Sequence, residues 1–412
     1  MSIADLRERV RRLPGMERLL PALEGLPPAF LVGGSVRDLL LGERPAQHLD
    51  LAIEGDARSV ARALADRLSG EPREYERFGT ALVRIEGLDL DMATTRRETY
   101  DAPGALPRVE QAALAEDLVR RDFTVNAMAI GLSGDHLGQL YDPHRGLPDL
   151  EAGLLRVLHE GSFVDDPTRL LRGVRFEARL HFAMDAGTDA LAREAVAGSA
   201  LSTVSADRAG RELMKALEEP AAPAAVRRLK ELEIAAALHP ALDPDPELVA
   251  SAALGAVTLG ANRVTAELAA MVVDSAQELD LWVAELPLEA RDRDAVSRAA
   301  RVAPRVATEL RERDHAASEL RALLGGEPPE ALALALALGA PSEPVLRWAT
   351  ELSGVRLEIG GADLIDAGVP EGPPIGRALE ETLRRKLDGL VSGREDELRT
   401  ALELARGEAS PS

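Results

Sequence analysis

The sequence pattern changes near residue 150, and this change limits the possible folds more than any other feature. Before it, strand-like segments alternate with helical patterns, and the candidate strands span residues 30–32, 49–54, 80–85 and 88–92. After it, Ala/Leu-rich helical patterns dominate, and residues 331–339 are predicted to be helical because strong helix formers follow Pro329. Residues 1–25 and 57–68 are predicted helices of the first part. The pattern predicts an α+β fold, in which an α/β head precedes an all-α remainder.

Composition excludes several classes of protein. The chain has 412 residues, enough for two to four domains, and it has no cysteine, which excludes disulfides and thiolate metal sites. The charged N-terminal segment and the lack of a stretch of about 18 apolar residues predict a cytoplasmic protein without a membrane partner. No protein partner is indicated. The net charge of −21 argues against an unspecialised nucleic-acid binder but is compatible with a local basic groove.

A glycine turn at residues 33–35 separates a short apolar strand from a helix that Gly42 ends. Glycine lets backbone N–H groups converge on an anion, and the N-terminus of the following helix adds positive potential. Gly34 and Arg37 are therefore candidate triphosphate-binding residues, with Arg37 in the first helical turn. An ordinary strand-to-helix turn that needs a positive φ explains the same glycines, and one short glycine motif does not separate the two.

Acidic residues two apart on a strand point to the same face and can clamp a divalent cation. The second candidate strand carries His48 and Asp50 at this spacing, and the fourth carries Asp89 and Asp91. If the two strands are neighbours, Asp50 and Asp91, with Asp89 as an additional candidate, form a metal site and are the candidate catalytic carboxylates. His48 occupies the expected position of a partner carboxylate and is a poor Mg²⁺ ligand. The simpler interpretations are that the carboxylate at position 48 was lost without consequence at a loop edge, and that Asp89 is a solvated residue at a strand end.

A basic stripe follows a helix start at Asp166-Pro167, where Asp caps the helix and Pro takes its first position. The stripe consists of arginines spaced by three, three and four residues: Arg169, Arg172, Arg175 and Arg179. A solvated helix face is the usual meaning of such a stripe. In the functional interpretation, Asp166 accepts from the exocyclic amine of cytosine or adenine, and Arg169 donates to the neighbouring ring acceptor. Guanine and uracil present the reverse pattern and are rejected, while Arg172 and Arg175 face the phosphates.

Five motifs, in order along the chain, resemble those of bacterial class II tRNA nucleotidyltransferases (CCA-adding enzymes) and poly(A) polymerases. They are LVGGSVRD (31–38), HLDLAIEG (48–55), DLDMATTRRETY (89–100), RRDFTVNAMAI (120–130) and DDPTRLLRGVRF (165–176). A sixth segment, IGGADLIDAGVPEGPPIGRAL (359–379), is similar to the closing helical segment of these enzymes. The resemblance covers roughly residues 28–215 and the tail locally, and five ordered motifs are far more specific than one.

The resemblance implies a polymerase-β-like nucleotidyltransferase head followed by all-α neck, body and tail. The implied domains are a head at 1–140, a neck with base recognition at 141–215, a body at 216–340 and an RNA-binding tail at 341–412. The implied reaction adds C and/or A from CTP and ATP to the 3′ end of tRNA without a template, releases pyrophosphate, and uses Mg²⁺ or, alternatively, Mn²⁺.

The family's site residues carry over by position. The implied nucleotide-binding residues are Gly34, Arg37, Arg121, Asp166, Arg169, Arg172 and Arg175, and Asp50 is the implied metal ligand. Two positions depart from the family pattern. His48 replaces an Asp or Glu, and Asp165 replaces a Glu, a change also seen in enzymes specialised for part of the CCA sequence.

Two other functions remain open at the level of sequence. One is a non-catalytic homologue that binds tRNA or nucleotides and has lost one metal carboxylate, at His48. The other is transfer of nucleotides to small hydroxyl compounds, which the long helical remainder argues against. An intact Asp166–Arg169 pair has little use in a protein that merely holds tRNA, so the enzyme is favoured. The sequence does not separate CCA-, CC-, A- and poly(A)-adding activities.

Overall fold

The computed structural model describes residues 3–43, 48–75, 79–85 and 87–408. The chain divides into two compact units, residues 1–238 and 239–412, called the first and the second unit below. The division into head, neck, body and tail stays a prediction. The strands of the described residues belong to the first unit: β1 (Ala29–Val32), β2 (His48–Ile53), β3 (Glu71–Tyr75), β4 (Thr80–Ile85), β5 (Leu88–Thr94), β6 (Arg96–Thr99), β7 (Arg108–Gln111), β8 (Ala129–Gly131), β9 (Leu140–Tyr141), β10 (Leu154–Leu155) and β11 (Ala183–Met184).

Helices surround these strands in the first unit. They are α1 (Ile3–Arg11), α2 (Met16–Ala22), α3 (Gly34–Leu41), α4 (Ala57–Leu68), α5 (Leu114–Val119), α6 (Gly146–Ala152), α7 (Ser162–Asp165), α8 (Thr168–Leu180), α9 (Ala186–Ala197), α10 (Ala206–Glu218), α11 (Ala222–Glu231) and α12 (Ile234–Leu238). The predicted helix at 57–68 is confirmed as α4. The single leading helix predicted for residues 1–25 is wrong, because the chain turns at Pro14 and at Gly15, whose φ is +75°, and forms α1 and α2 instead.

Within the described residues, seven strands form one mixed sheet in the order β3-β4-β5-β2-β1-β8-β9. Strands β2 and β5 run parallel, and the other neighbouring pairs of this sheet are antiparallel. The β2–β5 register pairs Asp50 with Asp91 and His48 with Asp89. The two candidate strands of the metal site are therefore neighbours, which is the condition for a metal site shared between them. Strands β6 and β7 form a separate antiparallel ribbon, and β10 and β11 a short parallel pair.

The centre of this sheet is strongly apolar, which explains why its strands were predictable. The predicted strands are confirmed as β1, β2, β4 and β5, with ends that differ by at most two residues. In β5, Leu88, Leu90 and Met92 are buried and alternate with Asp89 and Asp91, the period-two pattern of a half-buried strand. Helix α4 packs against β4 and β5 with an apolar face at helical spacing. Strand β3 was not predicted, since its sequence EPREY is exposed throughout.

Helix α8 follows the turn that the sequence indicated. The helix begins at Thr168, one residue later than predicted, and Pro167 takes the cap position. The backbone N–H of Thr168 donates to Asp166 Oδ1 at 3.2 Å, so Asp166 satisfies a backbone donor at the helix start. The helix packs against α10 and α11. A Cβ atom on Gly173 would lie 3.0 Å from Cζ of Phe123, so the glycine allows close approach of α8 to the segment that carries Asp122.

The second unit is helical within the described residues, which confirms the all-α prediction there, whereas residues 151–238 also contain the short strand pair β10–β11. Its helices are α13 (Pro246–Leu259), α14 (Arg263–Val272), α15 (Ala276–Glu285), α16 (Ala290–Glu312), α17 (Ala317–Leu324), α18 (Pro329–Ala337), α19 (Ser342–Arg347), α20 (Gly361–Asp366), α21 (Pro373–Leu387) and α22 (Arg394–Glu408). Helices α13, α14, α16 and α18 pack on one another through small residues, including Ala256, Ala266 and Ala333. Among the described helices, none combines the length and apolar composition that a bilayer crossing requires.

Candidate functional site

One cavity of about 660 Å³ in the first unit is lined by most of the site residues that the sequence predicts. The predicted residues in its wall are Gly34, Arg37, Asp50, Asp91, Arg121, Asp166, Arg169, Arg172 and Arg175. Strands β1, β2 and β5 and helices α3 and α8 contribute to the wall. Because these positions are spread over more than a hundred residues of chain, the fold itself brings them together.

The glycine turn forms one end of the cavity. Gly33 has φ +65° and ends β1, and α3 begins at Gly34. A Cβ atom on Gly33 would lie 3.1 Å from Nη1 of Arg121, so the turn needs glycine for both its conformation and the close guanidinium. The backbone N–H of Asp50 donates to Ser35 Oγ at 3.3 Å, which ties the turn to β2.

Arg37 is buried beneath this turn and is held by its neighbours. Its Nη1 donates to Asn126 Oδ1 at 2.8 Å, and its Nε and Nη2 donate to Asp38 Oδ1 at 2.8 and 2.6 Å. Its guanidinium carbon also lies 5.2 Å from the ring centre of Phe176. Arg37 is thus a fixed positive charge in the cavity wall, and its contact with a terminal phosphate stays a prediction.

His48, Asp50 and Asp91 form the cluster of the described residues that can hold a metal ion. Each offers one ligand atom, and these atoms all lie within 4.8 Å of one another. His48 Nε2 lies 2.8 Å from Asp91 Oδ2. Burial raises the pKa of Asp50 above its ordinary value; His48 opposes this rise and Asp91 adds to it. Two carboxylates and one imidazole are a donor set that suits a divalent cation.

Asp89 does not belong to this cluster. Arg84, its partner across the β4–β5 pair, donates from Nε to Asp89 Oδ1 at 3.1 Å. The expectation that Asp89 adds a third carboxylate is therefore wrong, because a neighbouring guanidinium already neutralises it. The metal candidates reduce to Asp50 and Asp91, with His48 beside them.

Arg121 is oriented towards the glycine turn by a buried carboxylate. Its Nη2 donates to Asp117 Oδ2 at 2.9 Å, and Asp117 is only 1% exposed. Burial alone would raise the pKa of Asp117, but the neighbouring Arg120 and Arg121 outweigh this and lower it. Arg121 Nε is buried and lacks a hydrogen-bond partner within the described part of the chain. An unsatisfied donor of this kind suits a phosphate oxygen.

Arginines of α8 form the opposite wall around one aromatic ring. The guanidinium carbons of Arg172 and Arg175 lie 5.5 and 4.9 Å from the ring centre of Phe176, on which Arg37 also packs. Glu212 lies 3.8 Å from Arg172 and 3.6 Å from Arg175. Arg175 Nε is a second buried donor without a hydrogen-bond partner among the described residues. Three guanidinium groups facing one cavity favour an anionic ligand.

Asp122 fixes the orientation of Arg172. Nε and Nη2 of Arg172 both donate to Asp122 Oδ2, at 2.9 and 2.5 Å. Asp122 Oδ1 accepts from Asn126 Nδ2 at 3.0 Å and from the backbone N–H of Phe123 at 2.8 Å. Burial would raise the pKa of Asp122, but Arg172 and these donors lower it to about 2.

Asp166 and Arg169 both face the cavity, and no side-chain hydrogen bond joins the two residues. Asp166 Oδ1 accepts from Thr168 and, at 3.0 Å, from Arg208 Nη2, so Oδ2 is the oxygen left for a ligand. Arg169 is 4% exposed and donates to Ser162 Oγ and to the carbonyl oxygen of Arg120, each at 2.6 Å. The protein holds both side chains in place before any base binds, which lowers the entropy cost of recognition.

Comparison with known proteins identifies the fold and the family. Residues 29–156 match the family described as the Poly A polymerase head domain. The structure of the Thermotoga maritima CCA-adding enzyme complexed with tRNA superposes with a TM-score of 0.80 at 30% identity, and covers 98% of each chain. The chain belongs to the CCA-adding enzyme family.

This chain is also similar to curated relatives that carry the name A-adding tRNA nucleotidyltransferase. The A-adding tRNA nucleotidyltransferase of Geobacter sulfurreducens is 33% identical over 400 residues, which are 92% of this chain and 45% of that protein. The corresponding protein of Halalkalibacterium halodurans is 45% identical over 212 residues, 51% of this chain and 49% of that protein. The chain therefore spans about half the length of the curated relatives it matches.

Several polar residues in the cavity of this CCA-adding enzyme family member were not selected from the sequence. They are Glu98, Tyr100, Asp117, Arg120, Asp122 and Asn126. The hydroxyl of Tyr100 donates to Glu98 at 3.1 Å, and burial together with Glu98 raises the pKa of Tyr100 to about 12. Asn126 carries a usable signal, because it is a polar residue within the apolar run FTVNAMAI. The others depend on long-range pairing that spacing does not reveal.

Proposed function

We propose that this protein is a template-independent tRNA nucleotidyltransferase that adds C and/or A to the tRNA 3′ end from CTP and ATP, with release of pyrophosphate. The observation that carries the proposal is one cavity, within the described residues, that combines the carboxylates Asp50 and Asp91 of the metal-binding cluster with a wall of arginines and an Asp/Arg pair. Because tRNA and nucleoside triphosphates are the proposed substrates, the proposal places the protein in the cytoplasm.

In this proposal, the triphosphate lies between the glycine turn and α8. Gly34 and Arg121 bind it from one side, and Arg172 and Arg175 from the other. The buried Nε donors of Arg121 and Arg175 support this assignment, since a phosphate oxygen would satisfy them. Arg37, locked against Asp38 and Asn126, contributes fixed positive charge.

The proposed catalytic residues are Asp50 and Asp91, which hold the metal ion with His48 beside them. A bound Mg²⁺ or Mn²⁺ would offset phosphate charge and acidify the attacking 3′-hydroxyl. The carboxylates sit on neighbouring strands of a rigid sheet, so their spacing is fixed before substrate arrives.

Selection of the base is assigned to Asp166 and Arg169. Asp166 Oδ2 accepts from the exocyclic amine that cytosine and adenine share, and Arg169 donates to the adjacent ring nitrogen. Arg208 and Ser162 support the proposal because they hold the two side chains in fixed positions.

Within this proposal, addition of the terminal A alone is the narrower candidate activity. The relatives from Geobacter sulfurreducens and Halalkalibacterium halodurans carry the name A-adding tRNA nucleotidyltransferase, and Asp165 stands where many family members have Glu. The deciding experiment offers transcripts of one tRNA that end before the first C, after one C and after CC. Each transcript is incubated with each nucleoside triphosphate and either Mg²⁺ or Mn²⁺, and the products are resolved at single-nucleotide resolution.

The patterns of extension differ between the candidates. Full CCA addition extends all three transcripts, whereas A-adding activity extends only the transcript that ends in CC. Absence of extension with either metal, together with intact CTP and ATP binding, would replace this proposal with the non-catalytic homologue.

A further inference from the structure

His48 is the residue at which the metal cluster differs from a set of carboxylates. Its Nε2 lies 2.8 Å from Asp91 Oδ2, and its ligand atom is within 4.8 Å of those of Asp50 and Asp91. We propose that His48 is a metal ligand and that the centre consequently takes a first-row divalent transition-metal ion, such as Mn²⁺ or Co²⁺, in preference to Mg²⁺. This inference rests on the proposed function, in which the metal ion takes part in nucleotide transfer, and it adds the class of cation.

The fold places the imidazole where a ligand must be. Residues 48 and 50 are two apart on β2 and share a face, and the parallel register sets Asp50 beside Asp91 on β5. The side chains of His48 and Asp91 are 47% and 50% exposed, so a cation reaches the cluster without rearrangement of the core. Position 48 therefore offers a third donor on the face that already carries the two carboxylates.

The donor atoms decide the preference among cations. Mg²⁺ is a hard ion that favours oxygen and retains its waters, whereas imidazole nitrogen suits the first-row transition metals. Replacing a carboxylate with a neutral imidazole also reduces the charge of the three ligands from −3 to −2. Mg²⁺, whose binding depends on charge and oxygen, loses more from this change than an ion that gains a metal–nitrogen bond.

A purely ionic role for His48 is the competing explanation. In that case the imidazolium stays paired with Asp91, as Arg84 is paired with Asp89 on the same face, and the ring never contacts a metal. The two explanations differ in whether a histidine nitrogen enters the coordination sphere. Binding spectroscopy detects this difference without turnover.

The experiment uses the full-length protein and Mn²⁺ as the probe. Pulsed electron paramagnetic resonance of the Mn²⁺-loaded wild type is expected to show ¹⁴N coupling, which changes to ¹⁵N coupling when the protein contains ¹⁵N-histidine. In His48→Asp, the coupling disappears, and the ratio of the Mg²⁺ to the Mn²⁺ dissociation constant falls by about tenfold or more. Asp89→Asn is the matched control on the same face, because Asp89 lies outside the cluster, and it retains the coupling.

The wild-type spectrum decides the question even if His48→Asp does not fold. A Mn²⁺ centre without nitrogen coupling, or an unchanged dissociation-constant ratio in folded His48→Asp, overturns the inference. A different result would contradict the proposed function. A nitrogen-coupled Mn²⁺ centre with no tRNA extension supports the inference and removes the function, whereas extension without nitrogen coupling overturns the inference and retains the function.

Discussion

Asp50 and Asp91 face each other across the one parallel pair in the described part of the main sheet, and this geometry sets the first prediction. Asp50→Asn and Asp91→Asn each remove a charged metal ligand without changing side-chain volume. Each is expected to lower the rate of nucleotide incorporation at least about 100-fold, since even indirect partners of a metal cost 10–100-fold. Initial rates on a tRNA transcript measure the loss.

Asp89→Asn is the control for these variants, because it removes the same charge from the same face of β5 at a position paired with Arg84. Its rate is expected to stay within about twofold of wild type, as is usual for an exposed pair that contributes little. An equal loss of incorporation rate in Asp89→Asn and Asp91→Asn would mean that the rate depends on the total negative charge of this face of β5, and not on the metal cluster.

Asp166 carries the second prediction. In Asp166→Asn, the amide can present either a donor or an acceptor to the base. The preference for CTP and ATP over GTP and UTP should therefore fall by about tenfold, which is near the lower end of the discrimination that one base contact provides. Calorimetric titration of the four nucleotides in the presence of metal measures this ratio. Asp207→Asn, an exposed i,i+4 partner of Arg211, is the matched control and should leave the ratio unchanged. A wild type that binds GTP as tightly as CTP would contradict the assignment.

The residues of the site differ in how far the sequence could predict them. Asp50, Asp91 and the arginines of α8 stand at regular spacings, because the period of a strand or helix puts them on one face. Asp122 lies 50 positions from Arg172, and its role depends on the packing of α8, which no local pattern encodes. His48 is an intermediate case: its position was predicted, but its contact with Asp91 depends on strand register.

Helix α8 is attached to the α/β part of the first unit through the Asp122–Arg172 ion pair, which gives the third prediction. The pKa of Asp122 is lowered from 3.8 to about 2, so its ionised form stabilises the fold above pH 4, and this contribution is lost as the pH falls through about 2. Asp122→Asn should therefore reduce the free energy of unfolding at pH 7 by on the order of 2 kcal/mol. The difference between the variant and wild type should shrink as the pH falls from 4 to 2.

Urea denaturation followed by two signals measures this effect. Trp282 and Trp348 both lie in the second unit, so tryptophan fluorescence follows that unit, whereas far-ultraviolet circular dichroism follows helices of both. Asp122→Asn is expected to shift the dichroism transition and to leave the fluorescence transition in place. An equal stability of variant and wild type at pH 7, or a difference that grows towards pH 2, would contradict the role given to this pair.

At the level of elements, apolar periodicity decided what could be predicted. Strands β1, β2, β4 and β5 and helix α4 bury a regular face, and all were found within two residues. Strand β3 buries no residue and is held by its backbone pairing with β4, so its sequence carries no strand pattern. The break between α1 and α2 coincides with Pro14-Gly15, a helix-ending pair that is visible in the sequence.

At the scale of the whole molecule, the acidic net charge must be reconciled with tRNA as the proposed partner. Many cations of the second unit are paired with carboxylates within their own helix. Arg384 and Arg385 of α21 both pair with Glu381, and Arg384 is 60% exposed. Such exposed pairs contribute only about 0–1 kcal/mol, so a phosphate group can replace the carboxylate at little cost. A chain with a charge of −21 can therefore still present local phosphate contacts.

The last prediction separates nucleotide binding from tRNA binding. The proposed function assigns the arginines of the cavity to the nucleotide, and the segment 359–379, in the second unit, resembles the closing segment of the family. A chain that ends after Leu238, the boundary of the first unit, should keep its CTP and ATP affinity within about threefold. Its tRNA affinity should fall by about 100-fold or more, because each lost phosphate contact weakens binding. The cut belongs at Leu238 and not at residue 215, the predicted end of the neck, because residue 215 lies inside α10.

Binding titrations at several salt concentrations test the origin of the loss, because the slope of log K against log salt should become shallower by about 0.7–0.9 for each phosphate contact removed. Circular dichroism of the shortened chain establishes that it is folded. Undiminished tRNA affinity in a folded chain of residues 1–238, with the slope of the full-length protein, would place the RNA contacts in the first unit and remove the assigned role of the second.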